Sequence, residues 1–74
     1  MAVQIVMDRN GDTRHEFDRS DAVAKAAAER RFQDLTGKGL RAVALGQEGR
    51  PGQLLRAFDP TVEETLFIPK LVGG

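Results

Sequence analysis

The chain has no cysteine, no tryptophan and no tyrosine, a single histidine, and no excess of charge of either sign. Each shortage excludes something. Without cysteine there is no disulfide, no thiolate metal ligand and no cysteine nucleophile, a usage that fits a reducing cytoplasm. His15 has no second histidine or cysteine to complete a metal site or a histidine-based nucleophile arrangement, and on a hairpin strand it reads as an ordinary cross-strand residue. Eleven lysines and arginines balance eleven aspartates and glutamates. The basic excess of a phosphate-binding surface is therefore missing, and nucleic acid is not expected as a partner. No apolar run approaches membrane-spanning length. Residues Ala2 to Met7 are too short for a signal peptide and follow no basic segment. The expectation is a soluble cytoplasmic protein with no membrane association, no cofactor and no metal.

What is present points to one small globule. Seventy-four residues, 41% hydrophobic and 30% charged, make a single domain. A chain of that size buries roughly 60% of its unfolded surface and has little volume for a deep active-site cavity.

Val3, Ile5 and Met7 alternate with Gln4, Val6 and Asp8, and Thr13, His15 and Phe17 alternate with Arg14 and Glu16. Asn10-Gly11 lies between these period-two runs, which predicts a β-hairpin, because both residues tolerate the positive φ of a tight turn. Asp18 and Ser20 then compete as N-caps, with Asp21 adding negative charge to a first helical turn. Ala22 to Leu35 holds five alanines and neither glycine nor proline, which predicts a helix. Ala24, Ala28, Phe32 and Leu35 share one face, flanked by Ala27, and Gly37 suits the C′ position. Leu40 to Leu45 reads as a third strand and residues 47–52 as a polar loop. Gln53 to Phe58 reads either as a short strand or as one helical turn. Thr65 to Ile68 forms the last strand, closed by Pro69, which has no N–H to donate. Hairpin, helix and strands in so short a chain predict an α+β roll, a mixed sheet with one helix packed on one face.

The order of elements, the length and several local matches together resemble ubiquitin. Val3-Gln4-Ile5 resembles the start of its first strand, Ser20-Asp21 stands where its helix begins, and Phe32-Gln33-Asp34 resembles the end of that helix once a two-residue gap is allowed. Glu64-Thr65-Leu66, running through Leu71 to Gly73-Gly74, is the closest match. The tail Phe67-Ile68-Pro69-Lys70-Leu71-Val72-Gly73-Gly74 is also similar to the sulfur carriers of the molybdopterin and thiamine pathways. A third group joins both features: bacterial ubiquitin-like proteins encoded beside an activating enzyme, a conjugating enzyme and a metalloprotease. The chain most resembles this group.

The resemblance implies a ubiquitin-like β-grasp domain over residues 1–69 and a flexible diglycine tail over residues 70–74. It implies partners as well: an E1-like adenylating enzyme, an E2-like conjugating enzyme, a JAB-type metalloprotease, and target proteins joined by an isopeptide bond. Gly73 and Gly74 would be the activation and conjugation site. Glycine suits that role because a chain without Cβ threads a narrow channel. Lys70 stands where ubiquitin carries an arginine that its activating enzyme reads, and Leu71 matches a tail leucine. Val72 replaces a second basic residue, which speaks against a eukaryotic activating enzyme. With Gly74 last in the sequence, no processing cleavage is expected. At an average glycine usage of about 7%, two terminal glycines arise by chance in roughly one chain in 200.

Ubiquitin-like folds meet partners through an apolar patch on the outer face of the sheet. An ungapped match from the C-terminus puts Leu66 and Ile68 there and Phe67 in the core, whereas a one-residue slip reverses the assignment. The alternative is that all three pack inside or near the base of the tail.

Other signals are weaker. Asp8, Asn10 and Asp12 lack the glycine placement and the distal glutamate of a calcium loop. Gly37-Lys38-Gly39 follows a helix instead of a strand and reads as a helix stop. Arg30-Arg31 reads as a solvated helix face, or less readily as a dock for an acidic partner. Ser20, the only serine, is assigned to capping, and the carboxylates are scattered. The chain therefore reads as a substrate of other enzymes' chemistry, with no catalytic residues of its own. Three readings remain open: a modifier ligated through Gly74, a sulfur carrier using a Gly74 thiocarboxylate, or a non-covalent β-grasp binding module.

Overall fold

The computed structural model describes residues 1–8, 11–45 and 52–69. Strands β1 (Ala2–Asp8) and β2 (Gly11–Phe17) form an antiparallel hairpin, followed by helix α1 (Ala22–Gly37) and strands β3 (Leu40–Ala44), β4 (Gln53–Leu55) and β5 (Glu64–Pro69). The five strands make one mixed sheet in the order β2-β1-β5-β3-β4. β1 and β5 run parallel; the other neighbours are antiparallel. This is a β-grasp-like α+β architecture, with β5, the last strand among the described residues, at the centre of the sheet.

Register explains the hairpin. Asp8 pairs with Gly11, the last pair of the hairpin register; the expected turn residues 9 and 10 lie outside the described residues. Gly11 has φ 109°, in the region where Cβ is penalised, so the glycine is needed at the first residue of β2.

The helix starts and stops differently from expectation. The N-cap is Asp21, whose carboxylate accepts from the N–H groups of Val23 and Ala24 at 3.0 and 3.2 Å. Asp18 is committed elsewhere: it accepts from the backbone N–H and the hydroxyl of Ser20 at 2.9 and 2.7 Å, building the turn that precedes the helix. Ser20 is therefore not a cap. At the other end, the Thr36 hydroxyl donates to the Phe32 carbonyl and the helix continues through Gly37. Lys38 is the C-cap, and Gly39, at φ 98°, takes the left-handed position expected of Gly37.

The core lies between α1 and one face of the sheet. Val6, Phe32, Ala42 and Phe67 form one buried cluster, with Leu35, Leu40, Leu55 and Phe58 packed against it. Ala2, Phe17 and Ala28 form a second, reached by Ala24 and again by Phe58. Ala27, expected to flank the buried stripe, is exposed. The four phenylalanines make a continuous chain of ring contacts: Phe17 to Phe58 at 6.2 Å, Phe58 to Phe32 at 6.0 Å, Phe32 to Phe67 at 5.8 Å. Edge-on and tilted geometries at these distances add to the area term. The segment that read two ways resolves into strand β4 over Gln53–Leu55, after which Phe58 turns inward and joins the two clusters. Gly52 precedes β4 because a Cβ there would lie 2.7 Å from Val43 Cγ1.

Candidate functional site

Alternation along β5 divides its side chains between the two faces. Thr65 and Phe67 are buried, Phe67 completely, while Leu66 and Ile68 are half-buried on the face turned away from α1. Cross-strand register then assembles the surroundings of Leu66. Arg14 pairs with Ile5, Ile5 with Leu66, Leu66 with Val43, and Val43 with Leu54. One row of side chains thus crosses all five strands, apolar from Ile5 to Leu54 and closed by Arg14 at the β2 edge. Ile68 pairs with Arg41, so a second guanidinium borders the row. Glu16 and Glu64, on either side of Val3, put carboxylates at the opposite border. Leu54 and Met7 are the most exposed apolar side chains of this face, at 54% and 38%, whereas Ile5 is 7% exposed and forms its floor.

Ile5, Val43 and Leu54 were not singled out by sequence reasoning. The period-two pattern of β1 was legible, but not which set of side chains faced the helix. The inward set is Ala2, Gln4 and Val6, which leaves the more uniformly apolar Val3, Ile5 and Met7 outside.

The remaining residues of the expected site, Lys70, Leu71, Val72, Gly73 and Gly74, lie outside the described residues. Strand β5 ends at Pro69, directly before them. Lys25 on α1 and Lys38 at its C-cap are exposed, and Lys38 pairs with Asp34 at 3.4 Å.

A polar cluster lies on the opposite face of the sheet. Gln4 is 1% exposed, yet both ends of its amide are satisfied. Its Nε2 donates to the Ala28 carbonyl at 3.0 Å, and its Oε1 accepts from the Arg31 guanidinium at 2.8 Å. His15 pairs with Gln4 across the strands and is half-buried. Desolvation, with repulsion from Arg31 added, holds its imidazole below the ordinary value. Arg31 is thus not part of a solvated face: it is half-buried and ties the helix to β1, while Arg30 remains exposed. Two aspartates sit in like turns. The Ser20 hydroxyl and N–H lower the Asp18 carboxyl, and the Thr61 hydroxyl and N–H lower that of Asp59. The Arg19 guanidinium donates to the Thr61 carbonyl at 3.2 Å and so links the two turns.

Among the described residues no group of three acidic, histidine or cysteine side chains is placed to hold a metal ion, and no helix is long and apolar enough to cross a membrane. The topology and the site define the chain as a β-grasp-like α+β domain with an apolar, arginine-bordered sheet face. No family model, curated protein or solved structure matches the sequence or the fold of this chain.

Proposed function

We propose that the chain is a ubiquitin-like protein modifier whose acting group is the α-carboxylate of Gly74. The carboxylate attacks ATP, giving an acyl adenylate and pyrophosphate; a partner's thiolate then displaces AMP, and a target amine displaces the thiol to leave an amide. Activating, conjugating and deconjugating enzymes are the partners this sequence of steps requires.

The observation that carries the reading is the combination of β-grasp-like topology with a central last strand that ends at Pro69, immediately before a segment ending Gly73-Gly74. Residues 70–74 span at most about 17 Å when extended. That is enough for a carboxylate to enter a cleft from which the folded body is excluded. The row Ile5-Leu66-Val43-Leu54, with Arg14 and Arg41 at its border, gives partner enzymes an apolar surface of the kind that carries docking energy.

A second reading is favoured by the run Phe67-Ile68-Pro69 followed by Gly73-Gly74, the pattern of sulfur carriers. There sulfide, supplied by a sulfur-donating partner, displaces AMP and leaves a thiocarboxylate on Gly74. Intact-mass analysis after co-expression with the cognate adenylating enzyme separates the readings. Protein-sized adducts that vanish when Gly74 is deleted support ligation. The mass increment of one oxygen replaced by sulfur supports the carrier. An unmodified mass overturns both and leaves a non-covalent binding module.

A further inference from the structure

The flank of α1 beside β2 carries a second candidate site, distinct from the outer face of the sheet. An open hollow of about 820 Å³ lies along the helix, lined by Ala26, Ala27, Arg30, Arg31 and Asp34. Two alanines keep its floor low and two guanidiniums stand over it. Asp34, the one carboxylate in the lining, is paired with Lys38, so the charge presented to the hollow is net positive.

Arg31 is the member that distinguishes this from a chance pair of surface arginines. One of its N–H groups is fixed by the buried Gln4 Oε1, which orients the planar fork and removes part of the rotamer entropy that binding would otherwise cost. It makes no ion pair among the described residues. His15 is the cross-strand neighbour of Gln4, the residue that holds Arg31, and feels the charge of that guanidinium; Gln4 is neutral, and Arg14 and Glu16 alternate to the other face of the sheet. A half-buried guanidinium with no ion pair among the described residues, and with one N–H group already fixed, has donors left to offer an anion. An oxyanion in the hollow would accept from the N–H groups Gln4 leaves free.

We propose that the hollow between Arg30 and Arg31 binds an oxyanion, a carboxylate or phosphate group carried by a partner molecule, and that Gln4 pre-orients Arg31 for it. His15, the only histidine of the chain, reports on this directly. An anion beside Arg31 cancels part of the repulsion on His15 and must raise the pH at which the imidazole titrates. The experiment follows the His15 Cε1–H resonance by NMR against pH in chloride, acetate and inorganic phosphate at equal ionic strength.

The expected result is a saturable upward movement in phosphate or acetate relative to chloride; the larger response identifies the anion source. The Arg30→Gln variant leaves the Gln4–Arg31 hydrogen bond intact and should bind the anion about tenfold more weakly, the loss of one charge-assisted contact. Identical His15 titrations in the three salts overturn the proposal. So does an upward movement that persists undiminished in both Arg30→Gln and Arg31→Lys, since it then arises outside the hollow.

Discussion

The Arg31 guanidinium, one turn from the end of the buried stripe of α1, donates 2.8 Å across to the side-chain oxygen of Gln4, the most deeply buried polar residue of β1. Because the other end of the same amide is bonded to the Ala28 carbonyl, Gln4 joins two consecutive turns of the helix to the sheet. The contact fixes the position of α1 along β1 as apolar packing against alanines does not, since alanine side chains offer little shape to resist sliding.

The two residues should therefore be strongly coupled. Arg31→Ala leaves a buried acceptor unsatisfied and is expected to cost about 1–3 kcal/mol, whereas Gln4→Met, which replaces the amide with an apolar chain of similar size, should cost less. A double-mutant cycle read by urea denaturation should give a coupling energy of about 0.5–3 kcal/mol. Additive single effects would mean that the guanidinium does not satisfy the amide in solution.

Phe67 carries the core. It is completely buried at the centre of the sheet and in edge-on contact with Phe32. Phe67→Ala should destabilise by about 3–5 kcal/mol, enough to unfold a domain this small. Leu66→Ala, one residue earlier and on the other face, should cost markedly less. Thermal unfolding followed by circular dichroism at 222 nm distinguishes the two.

Acid should weaken the fold in two stages. His15 is held below its ordinary 6.5, so the unfolded chain binds its proton first; stability is complete above that pH and falls as the pH drops through the folded value. Asp18 and Asp59 titrate below their ordinary 3.8, so their contribution is present above that pH and is lost in stronger acid. Urea midpoints measured from pH 7.5 downwards should decline first near neutrality and again in the acid range. His15→Gln should remove the first decline and leave the second.

Gly52→Ala tests the approach of the β4 entry to β3. The added methyl lies 2.7 Å from Val43 Cγ1 and 3.3 Å from the Ala44 carbonyl, so either the valine rotates or the strand shifts. A loss of about 1–3 kcal/mol is expected, the usual cost of overpacking. Amide exchange should show the loss concentrated in β3 and β4.

Removal of Gly73 and Gly74 should leave the melting temperature unchanged and abolish every covalent adduct that requires the adenylating enzyme. A melting temperature lowered by several degrees would place these residues in the folded body and remove the basis of the proposed carboxylate chemistry.

The elements of the fold were largely legible because each rests on local rules: alternation for β1 and β2, an alanine-rich run for α1, Pro69 for the end of β5. What sequence could not supply was tertiary choice. Asp18, Ser20 and Asp21 are all competent caps, and the selection of Asp21 depends on Asp18 turning its carboxylate back to Ser20. Gly37 and Gly39 are both competent helix stops, and the helix runs through the first and takes its positive φ at the second. The inward position of Gln4 ran against its polarity and is explained only by the carbonyl and guanidinium waiting for it on α1. The ungapped match put Leu66 and Ile68 on the outer face of the sheet, where they lie, yet the row that Leu66 belongs to, gathered from five strands, needed the register.

The central place of β5 has a mechanical consequence. The strand is clamped on both sides, by β1 running parallel and by β3 running antiparallel. A force that draws the segment after Pro69 away from Met1 would load the β1–β5 hydrogen bonds together in shear instead of opening them one at a time. Traction through the diglycine end would therefore meet the part of the sheet best braced against it, and a machine that unfolds this domain would do so with less work by pulling from the β2 or β4 margin.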